Sequence, residues 1–102
     1  MTYIVVLFNL ASDADLAKYE AWARATDLPT VNGLKSVDAF DVFKANGVLG
    51  SDAPPPFQYV EIIAVNDMQT FGEEVGTETM QKVAGEFRAF ADAPVFMLTQ
   101  KL

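Results

Sequence analysis

The opening stretch, Tyr3-Ile4-Val5-Val6-Leu7-Phe8-Asn9-Leu10, constrains this chain more than any other feature. It is nearly unbroken in apolar residues and rich in β-branched and aromatic side chains, which read as a strand. It is far shorter than the roughly 20 residues of a membrane-spanning helix. It also lacks the basic leading region and small-residue cleavage site of a secretion signal. A strand that is apolar on consecutive residues has two faces to bury. A second run of the same kind, Val95 to Thr99, lies near the other end of the chain.

Between these runs the pattern alternates between periods. Leu16, Tyr19 and Ala23 fall at helical spacing, with Trp22 beside them, and Ser12 offers an N-cap. A first helix is expected from about Asp13 to Thr26. Pro29 disfavours helical geometry at Leu28, so the helix should end or kink there. Ser36–Ala45 and Phe57–Val65 read as strands. Between them, Gly47–Pro56 is a ten-residue connection built on turn residues and three prolines, and connections of that length are more often functional than accidental. Asn66 or Asp67 caps a helix carrying Met68, Phe71 and Val75. Gly76 interrupts it and Thr77 can cap the next, whose stripe is Met80, Val83, Ala84, Phe87 and Ala91, with Pro94 as its stop.

The order β-α-β-β-α-β is the split β-α-β plan, so the expected fold is one α+β, ferredoxin-like domain over residues 1–102. Right-handed crossovers place the helices on one face of the sheet. The other face needs a partner, and an identical chain is the simplest one, so a homodimer is expected.

Composition excludes several classes of function. The chain has no histidine and no cysteine. That rules out a Ser-His-Asp triad, thiolate catalysis and a typical zinc site, and fits a reducing cytoplasm. A net charge of −7 disfavours nucleic acid and anionic membrane as partners. The acidic residues Asp38, Asp41, Glu73 and Glu74 show no metal-ligand spacing, and the glycines form no phosphate-binding loop.

One residue breaks the apolar pattern inside a strand. Glu61 sits in Tyr59-Val60-Glu61-Ile62-Ile63 and by period 2 shares a face with Tyr59, Ile63 and Val65. A carboxyl on an apolar face is desolvated, which raises its pKa toward acid/base use. The structural reading of the same residue is a pairing across the dimer interface to Lys44 or Arg88, or a hydrogen bond to tyrosine. Trp22, Tyr19, Tyr59 and Phe43 are candidate walls of an aromatic pocket, and equally candidates for plain core. Asn9 and Asn32 are candidate hydrogen-bonding groups for a ligand, with turn formation as the alternative for Asn9.

The chain resembles the RedY-like, HapK-type family associated with prodiginine and related aromatic pigment biosynthesis. The resemblance spans nearly the whole chain. It is carried by Tyr19-Glu20-Ala21-Trp22, Thr26-Asp27-Leu28-Pro29-Thr30-Val31, Leu49-Gly50-Ser51-Asp52, Phe57-Gln58-Tyr59-Val60-Glu61-Ile62-Ile63 and Glu86-Phe87-Arg88-Ala89-Phe90-Ala91. It implies a dimeric α/β barrel without metal or organic cofactor, acting in or beside secondary metabolism. A wider likeness to EthD-type barrel proteins is also visible. Where those carry His-x-Pro-Leu after the first helix, this chain carries Asp27-Leu28-Pro29-Thr30. That match marks Asp27 as an acid or base beside the pocket, with capping of the turn before Pro29 as the structural alternative.

Two functions follow as expectations. One is a cofactor-independent enzyme or accessory protein using carboxyl acid/base chemistry, through Glu61 and Asp27, on a small pyrrole- or indole-like aromatic molecule. The other is a non-catalytic carrier for a hydrophobic aromatic intermediate.

Overall fold

The computed structural model describes every residue, Met1 to Leu102. Its strands are β1 (Thr2–Leu10), β2 (Val37–Lys44), β3 (Tyr59–Val65) and β4 (Ala91–Thr99). They form one sheet in the order β2-β3-β1-β4, antiparallel at every pairing. The helices are α1 (Leu16–Trp22), α2 (Leu28–Asn32), α3 (Met68–Val75) and α4 (Glu78–Phe90). This is the ferredoxin-like α+β arrangement read from the pattern. No helix is long and apolar enough to cross a membrane.

The first helical segment departs from expectation at its start and is interrupted just before Pro29. Its N-cap is Asp15, whose side chain accepts from the Lys18 backbone N–H, and not Ser12. Near Pro29 the α ladder breaks without the helix ending. One π turn, Ala23–Asp27, intervenes, in which the Leu28 N–H bonds back five residues to the Ala23 carbonyl. The helix then resumes as α2 with Pro29 in its first turn, where a missing N–H does no harm. The wider turn absorbs the conflict that sequence placed at Leu28.

The caps of the second helical pair fall as expected. Asp67 accepts from the Gln69 and Thr70 N–H groups, Gly76 closes α3, and Thr77 caps α4. The end of α4 does not. The helix stops at Phe90, well before Pro94, and Ala91 already begins β4. Pro94 instead sits in a bulge of β4 where the register against β1 shifts between Leu7 and Asn9. Ala93 there takes a positive φ of 42°. A second bulge, in β2 between Val37 and Ala39, explains why Val37 and Phe40 both face the core despite their odd spacing.

Phe8 is the hub of the core. Its fully buried ring stacks on Tyr59 at 5.5 Å and meets Tyr19 and Phe87 edge-on at 5.7 and 5.0 Å. Val6, Glu61 and Val42 are cross-strand partners, and Val6 and Glu61 are buried on this same face. The opposite face has no cover within the chain, and on it Phe43, Val95 and Met97 are 51%, 44% and 40% exposed. The Gly47–Pro56 connection is almost wholly exposed and adds nothing to the core.

Candidate functional site

Two groups of titratable side chains occupy the layer between sheet and helices. The first is Asp27 with Glu61. Glu61 projects from the middle of β3, flanked across the strands by Val6 and Val42. Asp27 is the last residue of the π turn and is buried there. The two carboxyl groups line the same cavity, of about 250 Å³. Val31 of α2, Phe40 of β2, Ile63 of β3, and Met80, Val83 and Phe87 of α4 supply its apolar walls. Arg88, Pro94 and Phe96 also line it, and of these Arg88 and Phe96 are exposed. The bulge of β4 is therefore part of the wall.

Neither carboxyl has the partner that a structural role requires. Asp27 is 5% exposed and makes no capping hydrogen bond, so it does not cap the turn before Pro29. Glu61 is 4% exposed, and its Oε1 is buried without a hydrogen-bonding partner in the protein. Within the chain, Lys44 binds Glu20 and Arg88 makes no ion pair. Burial alone raises Asp27 to about 7. Burial first, and the charge of Asp27 second, raises Glu61 to about 8. Near neutral pH the pair thus holds at least one proton in an apolar enclosure, an arrangement suited to giving or taking a proton.

The second group centres on Glu20 of α1. The Tyr59 hydroxyl donates to Glu20 Oε2 at 2.6 Å, Lys44 Nζ lies 3.0 Å from the same oxygen, and Arg24 Nη2 lies 3.5 Å from Oε1. These donors, Tyr59 foremost, hold the carboxyl below its ordinary value. The group borders a smaller cavity of about 110 Å³, which Tyr19, Leu28 and Val42 help to line. Tyr19 stands close to both groups. Burial, then the charges of Glu61 and Asp27, then Tyr59 and Glu20, push its hydroxyl far up, and its Oη has no protein partner.

The structure thus brings Asp27 and Glu61 into one cavity, and Tyr19 and Tyr59 into the neighbouring one. It does not bring the other candidates to either. Asn9 Nδ2 donates to the Pro56 carbonyl and Asn9 Oδ1 accepts from the Gln58 N–H, so this side chain anchors the end of the long connection. Asn32 Nδ2 donates to the carbonyls of Leu28 and Phe40 and its Oδ1 accepts from the Phe40 N–H, tying α2 to β2. Phe43 lies on the uncovered face of the sheet. Trp22 packs against Tyr19 and Phe90 at 6.0 and 5.4 Å, outside both cavities. Sequence reasoning missed the Glu20 group. Its only signal is the i,i+4 spacing of Glu20 and Arg24, common on solvated helix faces.

A family model described as HapK, REDY-like protein HapK, matches residues 2–102. No curated protein sequence matches the chain. Among solved structures, HapK from Hahella chejuensis superposes with a TM-score of 0.81 at 28% identity, over 100% of this chain and 93% of that one. An ethyl tert-butyl ether D (EthD) family protein from Bacillus halodurans C-125 gives 0.76 at 13% identity, over 100% and 99% of the two chains. A dimeric ferredoxin-like protein of unknown function from Thermobifida fusca YX gives 0.77 at 8%, over 98% and 90%. The last two likenesses are of fold alone.

Proposed function

The chain belongs to the REDY-like HapK family, and from that premise we propose that it acts in secondary metabolism on a small pyrrole- or indole-like aromatic molecule. In this reading the molecule enters the cavity of Asp27 and Glu61, and the two carboxyl groups serve as its acid and base. The member of the pair that is protonated is the proton donor, and the one that is ionised is the acceptor. The remaining walls exclude water and hold the ring by packing. No metal or organic cofactor takes part.

The observation that carries the proposal is the pair itself, two buried carboxyl groups in one largely apolar cavity with no cation of the chain in ion-pair contact. A carrier that binds and releases such a molecule unchanged is the second reading, supported by the hydrophobic character of 8 of the 12 lining residues. Calorimetry and turnover assays with bipyrrole and indole compounds, on the wild type, Glu61→Gln and Asp27→Asn, separate the two. The acid/base reading expects binding in all three proteins, with turnover lowered by about 10²–10⁴ in each variant. Turnover that survives both substitutions would end it, and binding without turnover in the wild type would favour the carrier.

We also propose that two copies pair through the uncovered sheet face into a dimeric α/β barrel. Its support is the apolar character of that face and the dimeric state of the Thermobifida fusca protein of the same fold. Light scattering should give twice the 11.1 kDa of the chain, and Met97→Asp should shift it toward the monomer.

A further inference from the structure

The cavity of Asp27 and Glu61 also constrains the charge of whatever enters it. We infer that its ligand is a weak base, a planar aromatic molecule with an imine- or pyridine-type nitrogen, which takes a proton from the carboxyl pair and rests as a cation against the carboxylate left behind. This inference rests on the reading of the cavity as a binding site, and it names the chemical class that site selects.

The argument starts from what is missing around the pair. Both carboxyl groups are more than nine-tenths buried, and Glu61 Oε1 has no hydrogen-bonding partner in the protein. None of the charged and titratable groups of the chain facing them is in ion-pair contact with either. From α1 comes Tyr19, whose hydroxyl is neutral and itself unpartnered. From α4 comes Arg88, exposed and in no ion pair. The strands beside Glu61 offer Val6 and Val42. Both ion pairs of the molecule are spent on Glu20. The pair therefore stays protonated for want of a cation.

Each ligand class meets this differently. A pure hydrocarbon leaves the carboxyl groups unsatisfied, and an anion is repelled once either ionises. A permanently charged ammonium must shed its hydration before it enters. A weak base enters neutral and acquires its charge inside. The O–H bond of one carboxyl breaks, an N–H bond forms on the nitrogen lone pair, and the resulting charge-assisted hydrogen bond satisfies the orphaned oxygen. No electron is transferred, and release reverses the step. The cavity of about 250 Å³ exceeds the roughly 150 Å³ that accommodates a benzene in an apolar protein core, so a fused bicyclic ring is a suitable occupant.

Isoquinoline and naphthalene differ by one ring nitrogen and test this directly. Their binding to the full chain is measured by calorimetry near neutral pH, alongside the ultraviolet spectrum of bound isoquinoline, for the wild type and for the double variant Asp27→Asn, Glu61→Gln. The expected result is isoquinoline binding about ten- to a hundredfold more tightly than naphthalene. The bound form should show the isoquinolinium spectrum at a pH where the free compound is neutral. Its affinity should fall as the pair loses its protons above about pH 8. The double variant, whose amides mimic the neutral acids in shape, should keep its circular dichroism spectrum and its naphthalene affinity but lose the preference. Equal affinities for the two probes, or a bound isoquinoline that stays neutral, would overturn the inference and leave an aromatic-binding cavity standing. If neither probe binds, both the inference and that reading fall.

Discussion

Glu20 and Glu61 stand close to the same buried ring, that of Tyr19, and their acidities are driven apart. Glu20 has three donors within reach, and its carboxyl is held below the ordinary value. Glu61 has none, and burial lifts it to about 8. The side chains are identical, so the difference lies in depth and in partners: Glu61 is buried without a donor, and Glu20 lies nearer solvent among three. A carboxyl given donors becomes a fixed charge that braces structure. One denied them becomes a proton reservoir.

The strongest way to test this contrast is to follow stability against pH. Asp27 and Glu61 have folded-state pKa values raised above their ordinary 3.8 and 4.5. Protons are therefore held more tightly in the folded chain. Their contribution is complete below about pH 4 and is lost as pH rises through about 7 and 8, on the order of 4 kcal/mol for each group. Urea unfolding at intervals across that range should show the decline, and Glu61→Gln should remove its share and flatten the curve. A profile unchanged by that substitution would mean that Glu61 ionises as an ordinary carboxyl.

The other side of the contrast gives smaller effects. Tyr59→Phe deletes the 2.6 Å bond to Glu20 and should destabilise by about 1.5–3 kcal/mol, as expected for a hydrogen bond to a charged acceptor. Carbon-13 NMR of the Glu20 carboxyl should show its titration moving upward in the same variant. Lys44→Gln should matter least. Its ammonium is half exposed, so the loss should be about 0.2–1 kcal/mol and should vanish in concentrated salt. If Lys44→Gln proved as damaging as Tyr59→Phe, the account of Glu20 as a carboxyl governed mainly by its tyrosine would need revision.

How much of this was legible in the sequence depends on how local each cause is. Glu61 announces itself because a charged residue interrupts a period-2 apolar strand, and that signal needs only its immediate neighbours. Asp27 is visible only through the matched Asp27-Leu28-Pro29 segment, because its burial depends on a π turn that periodicity does not reveal. Pro29 marks the interruption but not its form: a single wide turn lets the helix continue past it. The β2 bulge hid the true inward pair, Val37 and Phe40, behind an apparently regular alternation. Asn9 and Asn32 look like ligand-binding groups in sequence, yet their amides are taken up by backbone many residues away. The Glu20 group was illegible because Lys44 and Tyr59 become neighbours only through strand register.

The π turn also bears on how such a site is gained or lost. A π turn carries one residue more than the α ladder needs, and each residue in an α-helix advances the chain by about 100°. Deleting one residue between Ala23 and Asp27 would remove the wide turn and change the angle at which Asp27, and Val31 four residues on, meet the cavity. Helix length is thus as much part of the cavity's specification as residue type.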